Sequence, residues 1–318
     1  MKMKKIIFCA GLISTTTISL LYTNRSKYEK YVNNHIQTKN HNANIIAHRG
    51  FSSLELENSF KSVNLAFDCN CCDGVEIDVR LSKDNEIVLA HDESVFGIGK
   101  IKNKTLDELK EKKRKNNPIK NTTQVKTIFS KDAKLVIDRN KELNNSKEHI
   151  CTLNEILDEI NKNKILLVDL KFNNETDEKL YSKINNLFKD YKGDLKIIFQ
   201  ADDYEILKQM KDLYPDYKYQ LIIKKEKQLK YTDSDFDYYC IRKNLISKEL
   251  VNNLIYNDKK ICVWTVNTYT DFKNLSNELG ANLKDVYIIT DYPDEMCYLF
   301  NKKINDNTNR FALRLKKN

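Results

Sequence analysis

Histidine and tryptophan are scarce in this chain: its 318 residues contain five of the first and one of the second. Any gathering of histidines beside acidic residues is therefore informative. No second Cys/His pair at zinc-finger spacing accompanies Cys69-x-Cys71-Cys72, so the eight cysteines do not describe a zinc framework. They read as buried small hydrophobes, Cys69, Cys71 and Cys72 at a helix-to-strand junction and Cys240 and Cys262 in strand-like core runs, with a disulfide as the alternative if the domain is exported. No block of one charge sign is present either: 54 basic against 45 acidic residues give +9, spread along a lysine- and asparagine-rich chain. Nucleic acid is not expected as a partner. Generic solubility accounts for the basic balance, which would also suit an anionic small molecule or a negatively charged membrane face. No internal repeat is evident.

Long apolar runs are nearly absent as well. The exception is Ile6 to Tyr22, preceded by Lys2, Lys4 and Lys5 and followed by Arg25, Lys27 and Lys30. This is an export signal or a marginal membrane span. No Ala-x-Ala-like site follows, since Leu20-Leu21-Tyr22-Thr23 is bulky, so an uncleaved anchor is expected over a cleaved signal peptide. Cys9 lies inside the run rather than after it, which argues against a lipoprotein. The expected organisation is an anchor or signal at 1–23, a polar tether at 24–43, a single large domain at 44–300 and a basic tail at 301–318. The domain is expected to face away from the cytosol, membrane-anchored or secreted. Its length and 41% hydrophobic content fit one α/β barrel better than two small domains.

Three short motifs stand close together: His48-Arg49-Gly50, Glu76-x-Asp78 and His91-Asp92. Ile45-Ile46-Ala47 breaks into polar groups at a glycine, as a barrel strand does where it delivers side chains to its carboxyl-end rim. Val75 to Leu81 alternates apolar and charged residues, and Ile87-Val88-Leu89-Ala90 is a second apolar run after a gap too short for a crossover helix. An antiparallel hairpin turning on Asp84-Asn85 follows. A turn centred there pairs Asp78 with His91 and Glu76 with Glu93, and puts Glu76 and Asp78 on one face. Alone, each cluster also fits a wet strand face. Together they favour chemistry on a phosphate ester.

The chain resembles the glycerophosphodiester phosphodiesterases. The resemblance rests on His48-Arg49-Gly50, Glu57-Asn58, Glu76-Ile77-Asp78 and His91-Asp92. It continues through Val168-Asp169-Leu170-Lys171, Val263-Trp264-Thr265-Val266-Asn267 and Thr290-Asp291-Tyr292-Pro293, in the family's order and over about residues 44–298. It implies a TIM-type (β/α)8 barrel that releases glycerol 3-phosphate and a free alcohol with the help of a divalent cation. Three departures stand out: Asp169 where relatives usually have glutamate, Leu56 before Glu57-Asn58 where most have proline, and Ala201-Asp202 where many have Ser-Phe.

Eight barrel strands are expected at 45–47, 75–79, 165–170, 196–199, 219–223, 237–241, 261–266 and 286–290, with amphipathic helices between most of them. The helices include Ser59 to Phe67, Glu178 to Phe188, Tyr204 to Leu213, Lys248 to Tyr256 and Asp271 to Leu279. A small inserted subdomain at about 93–163 separates the second and third strands. It holds expected helices at Thr105 to Lys115 and Thr152 to Asn161, each opening on a threonine with Glu108 or Glu155 at the third position after it. The lysine-rich run Lys110 to Lys120 reads as a solvated helix face and loop.

Phosphodiester hydrolysis needs charge neutralisation, an activated nucleophile and a proton for the leaving alkoxide. Glu76, Asp78 and Asp169 are hard oxygen ligands suited to Ca2+ or Mg2+. Arg49 and Lys171 would grip phosphate oxygens, and His48 and His91 would serve as general base and acid in an order left open. Gln200, at the end of the fourth strand, is a candidate for the phosphate or a metal-bound water, with a capping role as its alternative. Trp264 would wall the pocket by resemblance, stacking on glycerol or an alkyl ammonium, or else belong to the core. Asp291 is a further rim candidate that also suits a helix cap. The alternatives are a lysophospholipase D or sphingomyelinase D-like activity on a lysolipid, which the anchor and the basic tail keep open, and a non-catalytic barrel that binds phosphorylated ligands.

Overall fold

A computed structural model describes residues 44–115, 147–160, 162–172, 177–297 and 299–300. The expected anchor, tether and basic tail, and most of the insertion, lie outside the described residues. Among the described residues no helix is long and apolar enough to cross a membrane.

Eight parallel strands close into a barrel. They are β1 (Ile45–His48), β2 (Gly74–Leu81), β3 (Ile165–Leu170), β4 (Lys196–Ala201), β5 (Lys218–Ile223), β6 (Tyr238–Arg242), β7 (Lys260–Trp264) and β8 (Val286–Thr290). Each pairs with its neighbour, and β1 pairs with both β2 and β8 to complete the ring. All eight expected strands are present, because parallel strands buried on both faces announce themselves as short apolar runs. Their side chains divide between two compartments. Ile46, Leu167, Ile198, Ile222, Cys240, Cys262 and Ile289 fill the barrel's interior. Val63, Phe67, Val75, Ile77, Val168, Phe199, Leu207 and Met210 pack between sheet and helices. Phe199 is fully buried there, with Phe188 and Tyr217 edge-on at 5.2 and 5.3 Å.

The helices start where side-chain caps dictate. Ser59 caps α1 (Phe60–Asp68), Thr105 caps α2 (Leu106–Lys110) and Thr152 caps α3 (Leu153–Glu159), each in a reciprocal capping box; the latter two use Glu108 and Glu155 as expected. The expected helix from Thr105 to Lys115 stops early, however: α2 ends at Lys110, and Arg114–Lys115 instead pairs antiparallel with Lys147–Glu148. Beyond Leu109 the run Lys110-Glu111-Lys112-Lys113 offers no apolar side chain to bury, so nothing sustains the helix. Cys69, Cys71 and Cys72 are free and buried at the junction of α1 and β2, and Cys240 and Cys262 are free and buried in the barrel. No disulfide forms among them.

The hairpin after β2 exists, with Ile87–Leu89 antiparallel to β2, but its register differs from the expected one by a residue. Val79 pairs with Leu89 and Arg80 with Val88, and the Ala90 amide donates to the Asp78 carbonyl at 2.9 Å. Asp78 thus faces Ala90 rather than His91. Glu93 is exposed while Glu76 is buried, so the expected Glu76–Glu93 pairing is also absent. The turn holds three residues, not two: Ser82 pairs with Glu86 around Lys83-Asp84-Asn85, and Asn85 takes the left-handed conformation at φ 62°. The Ser82 hydroxyl fixes this loop by accepting from the Glu86 amide at 2.9 Å and donating to Asp84 at 2.5 Å. A one-residue slip exchanges strand faces. His91 escapes the consequence because it lies past the end of the strand.

Candidate active site

The strand registers assemble the site. His48 at the end of β1 lies level with Glu76 on β2, and one layer up Asp78 lies level with Asp169 on β3, which lies level with Gln200 on β4 and then Gln220 on β5. Neighbours at one level of a barrel turn their side chains the same way, so residues far apart in sequence meet at the rim. One cavity is lined by His48, Arg49, Glu76, Asp78, His91, Asp169, Lys171, Gln200 and Trp264. These are the nine catalytic, cation-ligand and substrate-binding candidates from the sequence, joined by Ile222, Lys224, Cys240 and Ile289; the further rim candidate Asp291 is not among the lining residues.

The three acids converge. Glu76, Asp78 and Asp169 are buried, with ligand oxygens within 4.8 Å of one another. Burial, then the charge of Asp78, pushes the Glu76 carboxyl up to about 8 against the pull of His48. Burial raises Asp169 as well, with Lys171 opposing. Asp78 goes the other way: despite burial, Lys171 and Arg49 hold it well below the usual carboxylate range. Lys171 Nζ bridges Asp169 Oδ2 at 2.5 Å and Asp78 Oδ1 at 3.0 Å. Three crowded acids, two of them resisting ionisation, form a donor set that fits a hard divalent cation, whose charge would relieve their repulsion.

The surrounding groups hold this triad in place. Glu76 accepts from the Arg49 amide at 2.9 Å and faces Gln200 Nε2 at 3.5 Å. Gln200 is itself buried and accepts from Gln220 at 2.9 Å, so it belongs to the interior ladder rather than to a helix cap. Asn58 donates to Asp78 Oδ2 at 2.8 Å while its own Oδ1 accepts from the Asp78 amide at 2.9 Å. The Arg49 guanidinium sits between Glu57 at 2.9 Å and Asp78 at 3.2 Å. The chain can make this approach only through a sharp turn in which Arg49 and Gly50 both have positive φ, 58° and 80°. A Cβ on Gly50 would lie 2.5 Å from Ser62 backbone. Gly50→Ala is accordingly expected to cost about 1–3 kcal/mol through overpacking, on top of the backbone strain, and a thermal melt reads it as a drop of several degrees.

Each histidine is oriented by its own acid. His48 Nδ1 donates to Asp291 Oδ1 at 2.6 Å, and Asp291 Oδ2 accepts from Asn267 Nδ2 at 2.5 Å. His48 Nε2 is thereby turned toward Glu76 Oε2, 4.0 Å away. Burial and Arg49 act to lower His48, but Asp291 and Glu76 outweigh them and raise it. His91 Nδ1 meets Asp92 Oδ1 at 2.6 Å, and its carbonyl accepts from Arg80 Nε at 3.1 Å and Nη2 at 2.8 Å. Burial first, then Arg49 and Lys171, push His91 down to about 4 against Asp78 and Asp92. Trp264 closes one wall, its indole N–H donating to the Cys240 carbonyl at 3.2 Å.

Sequence reasoning underrated Asp291, whose capping alternative gives way to orientation of His48. It overlooked Arg80 and gave no role to Asn58 or Asn267. Only for Asn58 and Asn267 was there a signal, their place inside motifs already singled out.

Residues 48–295 match the model of the glycerophosphoryl diester phosphodiesterase family. A glycerophosphodiester phosphodiesterase of Caldanaerobacter subterraneus subsp. tengcongensis is 26% identical over 267 residues, covering 81% of this chain and 98% of the relative. Among solved structures, an Oleispira antarctica phosphodiesterase in complex with the product sn-glycerol-3-phosphate superposes with a TM-score of 0.60 at 24% identity, over 79% of this chain and 94% of that one. A Thermotoga maritima glycerophosphodiester phosphodiesterase gives 0.58 at 22%, over 82% and 99%. At these identities the structures speak for the barrel fold.

Proposed function

Because the chain belongs to the glycerophosphoryl diester phosphodiesterase family, we propose that it hydrolyses glycerophosphodiesters to glycerol 3-phosphate and an alcohol at the cavity just described. The observation that carries this is the meeting of two oriented histidines, Arg49, Lys171 and three buried carboxylates around one space.

Glu76, Asp78 and Asp169 are the residues that would hold a divalent cation, Ca2+ or Mg2+. When bound, such an ion supplies Lewis-acid polarisation of the phosphoryl oxygens and lowers the cost of forming a nucleophile. Arg49 and Lys171 place positive charge where the non-bridging oxygens gain negative charge in the transition state, from side chains that are themselves largely buried, where such contacts are strengthened. His48 and His91 each have Nδ1 engaged by an aspartate, which leaves Nε2 as the proton-handling atom and suits one ring to withdraw the proton of the attacking group and the other to return a proton to the departing alkoxide. Trp264 presents an aromatic wall to the glycerol or the alcohol. The localisation that goes with this reading is an anchored or exported enzyme acting outside the cytosol.

A chelator is expected to abolish release of glycerol 3-phosphate in a coupled assay, and added Mg2+ or Ca2+ to restore it; undiminished turnover in excess chelator would remove the cation from the reading. A panel of glycerophosphodiesters and lysolipids tests the substrate class. Turnover of lysolipids alone would favour the phospholipase D-like alternative, and turnover of neither would leave a binding barrel.

A further inference from the structure

The lysine-rich run that reads as solvated contains one residue that is not. Lys112 and Lys113 are exposed, but Arg114 is buried to 6% of its accessible surface. It comes from the insertion, on the strand Arg114–Lys115 that pairs with Lys147–Glu148, and reaches the barrel rim, where Nη1 donates to the Asn58 carbonyl at 2.9 Å. Its Nε has no hydrogen-bond partner among the described residues. A buried guanidinium held by a carbonyl is costly to desolvate, so the contact must offset that cost elsewhere.

What it touches is a hub. Asn58 is fully buried with φ 54°, a left-handed conformation uncommon outside glycine that asparagine tolerates better than other side chains. Its amide donates to the Arg49 carbonyl at 2.9 Å, and its side chain grips both the carboxylate and the amide of Asp78. All three polar parts of Asn58 are committed: amide to Arg49, carboxamide to Asp78, carbonyl to Arg114.

We propose that Arg114 is a positioning residue by which the insertion tightens the cation site: it locks the Asn58 peptide in its left-handed turn, and Asn58 aims Asp78. This rests on the reading of Glu76, Asp78 and Asp169 as the cation-holding set. It gives the insertion a role in the site, since cation affinity then depends on the single contact that Arg114 makes with Asn58.

The test is calorimetric titration of the full-length protein with Mn2+. Outer-shell partners of ligating carboxylates typically govern 10–100-fold in affinity, and Arg114 acts one contact further out through Asn58, so R114M is expected to bind Mn2+ about 10-fold more weakly. R114K, which keeps the charge but loses the planar fork, is expected to fall between R114M and the unaltered protein. Loss of turnover in R114M should be recovered by raising the cation concentration, a KM-type effect on the metal rather than on kcat. The double variant K61A/E148A removes a tie of the paired strand, Lys61 Nζ to Glu148 Oε1 at 2.5 Å, and should bind Mn2+ normally. Unchanged Mn2+ affinity in R114M, or in R114K should R114M not fold, overturns the proposal. So does an equal loss in K61A/E148A, which would point to general docking. D78N separates the two readings: if it retains Mn2+ binding the cation site itself is wrong, whereas loss in D78N without loss in R114M defeats only the role of Arg114.

Discussion

Replacing His48 by alanine is expected to lower kcat for glycerophosphodiester hydrolysis by about 10²–10⁴-fold, the range a positioned general acid or base contributes. His48 ends β1, its ring is fixed by Asp291 at 2.6 Å, and its other nitrogen looks toward Glu76. The fold should survive, because the side chain is partly exposed and the strand beneath is anchored by Ile45 and Ile46, both essentially inaccessible. Asp291→Asn keeps the shape but offers Nδ1 an amide in place of a carboxylate, so a smaller loss is expected, together with a downward shift of the histidine's titration. Wild-type turnover in H48A, measured as glycerol 3-phosphate released by a protein with unaltered circular dichroism, would remove His48 from the mechanism.

The second large effect combines a loss with a gain. Glu76→Gln should reduce turnover by about 100-fold or more, by removing a ligand and an orienting acceptor, yet leave the cation-free protein at least as stable as the parent at pH 8. The sign follows from the direction of the shift. A carboxyl whose value rises to about 8 on folding opposes the folded state once pH exceeds its unfolded value, and the penalty grows from about pH 4.5 to about pH 8. Glutamine carries no such penalty. Melting in chelator should therefore show the parent losing stability across that interval and E76Q losing less. Adding Mg2+ or Ca2+ should raise the parent's Tm and leave that of E76Q nearly unchanged, as binding to the native state requires. A parent insensitive to cation, or an E76Q that melts well below it in chelator, would contradict the account of crowded acids. Asp78→Asn is expected to differ, because Asp78 helps neutralise both Lys171 and Arg49, and its loss leaves each of these buried cations with a single acid, Asp169 and Glu57.

Much of this site is legible in the sequence. The nine residues singled out from motifs line one cavity, and the strands carrying them fall within a few residues of the expected bounds. The capping boxes at Thr105 and Thr152 were readable because their logic is local. The hairpin was readable only to its existence: whether Ser82-Lys83-Asp84-Asn85-Glu86 turns on two residues or three depends on a left-handed Asn85 and on the Ser82 hydroxyl, and that single residue moved Asp78 from His91 to Ala90.

By itself, then, the order of residues along this chain determined which strands form and which side chains carry chemistry, because strand periodicity, caps and reactive groups are encoded within a few positions of one another. Only the closed barrel decided that Asp291, 243 positions from His48, would orient it. It alone decided, too, that an arginine from the insertion would lie against the asparagine holding Asp78. Those contacts depend on inter-strand register and on how the insertion docks, and each arises from the summed packing of the domain rather than from any neighbouring stretch of sequence.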